Sequence, residues 1–130
     1  MNAKVAGLWP AYARSKLANI LFTRALARRL DGSGVTANAL HPGLVRSHLF
    51  HDGPRWMQLL MAACGRLFMR STREGARTSV HLACAPELAH SSGGYYADCQ
   101  PAELSPAAQS DEDAERLWRE SARLAGVPAP

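Results

Sequence analysis

Residues 12–30 have the sequence YARSKLANILFTRALARRL, and the rest of the fold can be worked out from this stretch. Apolar side chains recur at positions 18, 22, 26 and 30, and Leu17 and Leu21 add a neighbouring row. This is the period of an amphipathic helix. Pro10 suits the first turn of such a helix, and residues 31–34, DGSG, end it with turn chemistry. The pattern predicts a helix over residues 11–30.

Downstream of this helix, the pattern indicates an α/β order. Residues 35–40, VTANAL, predict a short buried strand, and residues 95–97, YYA, predict a second strand. Further helices are predicted over residues 72–85, where Ser71 and Glu74 make a capping box, and over residues 111–125, which Ser110 caps. The apolar insert 44–70 is irregular, with one helix expected near residues 56–68. Since two strands do not make a stable sheet, either the chain is part of a larger sheet or this strand count is wrong.

Composition excludes some classes of function. The chain is 47% hydrophobic and 20% charged, as ordinary globular domains are. Its net charge of +4 comes mainly from scattered arginines without an aromatic-studded basic patch, so no nucleic-acid partner is expected. Three cysteines without a paired spacing indicate a reducing, intracellular compartment rather than disulfides or zinc. No metal site is predicted, because His48, His51 and Asp52 lack a further ligand.

Chemistry is suggested first by Tyr12 and Lys16. Their spacing of four residues puts them on one face of a helix. A free phenol has a pKa near 10, and a nearby cation favours the phenolate. A tyrosine tuned in this way can give a proton to a carbonyl oxygen or take one from an alcohol. An ordinary surface pair has the same spacing, so these two residues alone leave both interpretations open.

Further motifs occur in a fixed order around this pair. They are YARSKLAN at 12–19, GSGVT at 32–36, HPGLVRS at 41–47, REGA at 73–76, GYYADC at 94–99, and AERLW at 114–118 followed by LAG at 124–126. Together they resemble the short-chain dehydrogenases/reductases (SDRs), and the last of them resembles retinol dehydrogenases in particular. The resemblance extends from Tyr12 to Gly126.

The resemblance implies a set of residue roles. Tyr12 would be the general acid/base, and Lys16 would favour its phenolate and hydrogen-bond the nicotinamide ribose. Pro42 and Gly43 would let the backbone approach the nicotinamide, with Val45 and Ser47 also beside the cofactor. The substrate side is expected to include Leu49, Phe50, Trp56 and Leu60. The implied cofactor is NADP or NAD, with NADP favoured by the resemblance, and the implied substrate is a retinol-like or other lipophilic alcohol or its aldehyde or ketone.

The implied fold is the C-terminal part of a Rossmann-type doubly wound parallel sheet, with the last two strands and their flanking helices. Residues 1–126 would form this partial domain, and residues 127–130 a frayed tail. The nucleotide-binding half is expected to be absent. Residues 32–37, GSGVTA, fit the G-x-G-x-x-G/A string, but they follow a helix and precede a strand, whereas the phosphate-binding turn requires the reverse order.

Two alternatives remain at this stage. The chain on its own is expected to be an inactive fragment of oxidoreductase lineage, but it would also suit a non-catalytic form that binds a protein or a membrane. The apolar stretch at residues 56–69 is too short to span a bilayer, although peripheral membrane contact stays open. Oligomer formation stays open too.

Overall fold

The computed structural model describes residues 8–45 and 70–128. Its helices and strands are α1 (Leu8–Arg29), β1 (Ala39–His41), α2 (Thr72–Cys84), β2 (Tyr95–Ala97), β3 (Gln100–Pro101) and α3 (Asp111–Ala125), with 3-10 turns at Pro86–Leu88 and Pro106–Gln109. The described residues thus confirm all three of the predicted helices that fall within them. The helix expected near residues 56–68 lies outside the described residues.

Side-chain caps fix the helix ends as the sequence predicted. At the start of α2, the Ser71 hydroxyl accepts a hydrogen bond from the Glu74 amide, and the Glu74 carboxylate accepts one from the Ser71 amide. The Ser110 hydroxyl caps α3 by accepting from the Asp113 amide. Gly126 ends α3 with a left-handed φ of 68°. These bonds satisfy groups that the helix itself leaves unpaired.

The sheet of the described residues has three strands, in the order β1-β2-β3. Strands β1 and β2 are parallel, with Leu40 opposite Tyr96, whereas β2 and β3 are antiparallel. The sheet is therefore mixed, and the prediction of two parallel strands missed β3. The chain reverses at Asp98 and Cys99, both of which have positive φ. No glycine or asparagine marks this turn in the sequence, which is why it was not foreseen.

The first strand is also shorter than predicted. Only residues 39–41 pair in the sheet, and Val35 is 57% exposed rather than buried. The preceding residues bond to the turn before β2 instead: the Asn38 side chain donates to the Ser91 carbonyl and accepts from the Gly94 amide. Because these hydrogen bonds go to a turn and not to a strand, residues 35–38 have no strand partner among the described residues.

The core lies between α1 and α3. Leu21, Ala25 and Ala114 are buried in it, and Leu17, Leu117 and Trp118 pack around them. From α3, Leu117 and Trp118 thus face this core, and Ala122 is buried as well. On α1 the buried residues are Leu21, Ala25 and Ala27. Phe22, which belongs to the apolar row of the sequence pattern, stays 39% exposed. Of the helices the structure describes, none is long and apolar enough to cross a membrane.

Candidate active site

Tyr12 and Lys16 lie together on the exposed N-terminal part of α1. The Lys16 Nζ atom is 5.3 Å from the centroid of the Tyr12 ring, within the range of a cation–π contact. Tyr12 is 47% exposed, so a ligand in solution can reach it. The helix spacing has therefore produced the proximity that the sequence predicted for this pair.

The helix holds this pair from its far end. Leu21 and Ala25, further along α1, are buried against α3. Closer to the pair, the Ser15 hydroxyl donates to the Tyr12 carbonyl at 2.7 Å. The Ser15 hydroxyl is therefore hydrogen-bonded to the helix backbone. The pair projects from the exposed end of a helix whose opposite end is packed.

The second group of predicted residues follows β1, in a segment we call the 42–45 turn (Pro42–Val45). Parallel sheets bind ligands beyond the carboxyl ends of their strands, and this turn lies at such an end. Pro42 and Leu44 are exposed, and Gly43 has a left-handed φ of 79°. A Cβ atom on Gly43 would lie 3.1 Å from Cδ and from Nε of Arg70. Glycine is needed here because of backbone conformation and the neighbouring Arg70 side chain.

Arg70 contacts this turn and extends to the hairpin between β2 and β3. Its amide donates to the Leu44 carbonyl at 2.8 Å, and its guanidinium forms an ion pair with Asp98. The hydrogen bond from Arg70 holds the pKa of the Asp98 carboxyl below its usual range. The same bond raises the pKa of the Arg70 guanidinium. Both groups are therefore charged near neutral pH.

Helix α2 packs against both the 42–45 turn and the hairpin between β2 and β3. Gly75 is buried where α2 passes Val45, and the Thr78 hydroxyl accepts from the Cys99 amide at 3.2 Å. Between α2 and the hairpin lies a polar cavity of about 250 Å³. Its lining comprises Arg70, Glu74, Arg77, Thr78, Asp98 and Cys99.

The predicted site residues therefore divide into three sets. Tyr12 and Lys16 are in contact, whereas Gly43 and Val45 are held against Arg70 and α2 by separate contacts. Ser47, Leu49, Phe50, Trp56 and Leu60 lie outside the described residues. The sequence did not predict Arg70 and Asp98, since no motif connects an arginine two residues before α2 with an aspartate in a hairpin.

Polar groups that a ligand could reach are exposed in the described residues. Lys16 and Pro42 are both exposed, so the Lys16 ammonium and the 42–45 turn are open to a polar ligand. Residues 32–37 lie between α1 and β1, so they do not form the strand-to-helix turn of a pyrophosphate site. Over residues 8–45 and 70–128, no three metal-binding side chains cluster together.

Comparison with known proteins reveals close relatives. The chain is 48% identical over 120 residues to human retinol dehydrogenase 12, covering 90% of this chain and 36% of that protein. It is 46% identical over 124 residues to human retinol dehydrogenase 13, covering 92% of this chain and 38% of the relative. Dehydrogenase/reductase SDR family member 13 from Bos taurus is 46% identical over 118 residues, or 90% of this chain and 31% of its own length.

The chain spans about a third of the length of these curated relatives. No family model matches it. The similarity to the relatives nevertheless extends over nine-tenths of the chain, so it includes most of α1 and the 42–45 turn.

Proposed function

We propose that this chain, which is similar over nine-tenths of its length to retinol dehydrogenases and another SDR family member, is of oxidoreductase lineage and supplies the proton-transfer pair of an NAD(P)-dependent alcohol dehydrogenase or carbonyl reductase. The contact between Tyr12 and Lys16 carries this proposal. A phenol beside an ammonium, on an exposed helix face, is suited to exchange a proton with a substrate oxygen.

In this proposal each residue of the pair has one task. The Tyr12 hydroxyl donates its proton to the carbonyl oxygen when an aldehyde is reduced, and takes a proton from the alcohol in the reverse direction. Lys16, which lies beside the Tyr12 ring, hydrogen-bonds the nicotinamide ribose. A bound nicotinamide supplies or accepts the hydride.

The surrounding residues are proposed to bind cofactor and substrate. Pro42, Gly43, Val45 and Ser47 would hold the nicotinamide, with NADP favoured over NAD. Leu49, Phe50, Trp56 and Leu60 would contact a lipophilic alcohol or carbonyl compound, as a retinoid is. No G-x-G-x-x-G turn between a strand and a helix occurs in this sequence, so the 130 residues alone are expected to show no turnover.

A chimeric enzyme tests this function. The 120 aligned residues of human retinol dehydrogenase 12 would be replaced by those of this chain, and oxidation of retinol would be followed with NADP and with NAD. We expect the chimera to be active and Tyr12→Phe to lower kcat by about 100-fold or more, the usual loss when a general acid/base is removed.

Tyr95→Phe is the matched control, because it removes the same hydroxyl from a half-buried position on β2. It should leave kcat near that of the chimera, and circular dichroism should show that both variants are folded. A folded Tyr12→Phe chimera with full activity would rule out the assigned role. A folded chimera without any activity would count against the function itself.

A further inference from the structure

The 42–45 turn is held in place mainly by residues distant in sequence. Its Leu44 carbonyl accepts from the Arg70 amide, and Val45 forms a parallel bridge with Arg70. The Arg70 side chain then lies against Gly43, where a Cβ atom would be only 3.1 Å from it. Main chain and side chain of one residue thus both contact the turn.

Arg70 is itself fixed by the hairpin that joins β2 to β3. Its guanidinium pairs with Asp98, the first residue of the hairpin loop. The next residue, Cys99, donates its amide to the Thr78 hydroxyl, and Thr78 is only 3% exposed. The ion pair therefore connects the turn to a loop that is anchored on the buried side of α2.

We infer that Arg70 is a positioning residue that, through its ion pair with Asp98, holds the 42–45 turn in the conformation a nicotinamide cofactor binds. This inference rests on the proposed function for its ligand, but the contacts themselves do not depend on it. Arg70 does not touch the reacting atoms in this scheme; it acts through the backbone of the turn.

The exposure of the Arg70–Asp98 pair sets how much its removal should change the stability of the 42–45 turn. The Arg70 and Asp98 side chains are 40% and 62% exposed, so solvent and salt screen their attraction. Partly exposed ion pairs change an equilibrium by roughly two- to fivefold. A change of that size in the opening equilibrium of the 42–45 turn is measurable, and a high salt concentration should abolish it.

The first experiment follows amide hydrogen exchange in the full 130-residue chain. Arg70→Met and Asp98→Asn should each speed exchange of the residue 70 amide, which bonds to Leu44, by roughly two- to fivefold. The double variant should exchange no faster than either single one, because both remove the same interaction. Arg70→Lys keeps a cation and should restore most of the protection.

The second experiment uses the retinol dehydrogenase 12 chimera described above. Arg70→Met should raise the KM for the dinucleotide by roughly two- to fivefold and change kcat by less than twofold. The difference from the parent should vanish in about 1 M salt, where charges are screened within a few ångströms.

Arg77→Gln is the matched control. Arg77 lines the same cavity and attracts Asp98 electrostatically, but within the described ranges it forms no ion pair with it, so its loss should change exchange and KM much less than Arg70→Met does. Unchanged exchange in both Arg70→Met and Asp98→Asn would overturn the inference, as would a kcat loss without a change in KM. If exchange became faster in the variants of the full chain but the chimera was inactive, the contacts of Arg70 would be supported and the proposed function would be rejected.

Discussion

At the scale of single residues, Gly75 sets how closely α2 approaches the 42–45 turn. A Cβ atom at this position would lie 2.4 Å from Cγ2 of Val45, too close for any real contact. Gly75→Ala would normally stabilise a helix by about 1 kcal/mol. Here we expect it to lower the free energy of unfolding by about 1–3 kcal/mol, because the turn must move. Denaturant unfolding of the full chain measures the change.

The same clash predicts a specific rescue. In a Val45→Ala background the offending methyl groups are gone, so Gly75→Ala should become neutral or stabilising. A penalty of the same size in both backgrounds would mean that some other contact of Gly75 is responsible.

Residue spacing explains which parts of the candidate site were predictable. Tyr12 and Lys16 are four positions apart, so helix geometry alone brings them together. Arg70 and Asp98 are 28 positions apart, and their pairing depends on where the sheet and α2 place the hairpin. Sequence periodicity contains no information on such a contact.

At the scale of elements, the hairpin between β2 and β3 offers a prediction of its own. Its two loop residues, Asp98 and Cys99, have φ values of 53° and 61°, which are typical of a type I′ turn. A cysteine is strained in this conformation, whereas a glycine is not. Cys99→Gly should therefore raise the free energy of unfolding by about 0.5–1 kcal/mol, measured by thermal or denaturant unfolding.

Two further variants separate backbone strain from side-chain contacts. Cys99→Ala keeps the strained Cβ atom and loses the sulfur contact with Thr78, so it should not stabilise the chain. Asp98→Gly relieves little strain, since aspartate tolerates this conformation, and it removes the partner of Arg70. Equal stabilisation by Cys99→Ala would assign the effect to the thiol rather than to φ.

Helices were more predictable than strands in this chain for a physical reason. The caps of α2 and α3 depend on residues within three positions of each other, and the sequence shows them directly. Strand limits depend on a partner: β1 begins at Ala39 because β2 begins at Tyr95. The preceding residues, although strand-like in composition, bond to a turn instead.

At the scale of the whole molecule, α1 and α3 are joined by small side chains and a network of charges. Ala25 and Ala114 are fully buried between the two helices, and among the described residues no large side chain is buried to the same degree. Small residues let helices approach closely but bury little apolar area. Around them, Arg24 and Arg28 pair with Asp111, and Arg28 and Arg29 pair with Glu115.

This network predicts how stability responds to acid. The hydrogen bonds from Arg29 and Arg28 lower the pKa of Glu115 from 4.5 to about 2. Since the folded-state pKa lies below the unfolded one, Glu115 stabilises the fold fully above about pH 4.5, and this contribution is lost as the pH falls toward 2. Glu115→Gln should therefore make the free energy of unfolding fall less steeply between about pH 5 and pH 2.5 than in the parent chain.

The control for this prediction is Glu112→Gln, on the exposed side of α3. Within the described residues Glu112 forms no ion pair, so the variant should show the acid response of the parent chain. If the free energy of unfolding of Glu115→Gln fell with pH as steeply as that of the parent, the arginines of α1 would not be lowering the pKa of Glu115. The contact between α1 and α3 would then depend on the packing of Leu21, Ala25 and Trp118 and on the ion pairs of Asp111.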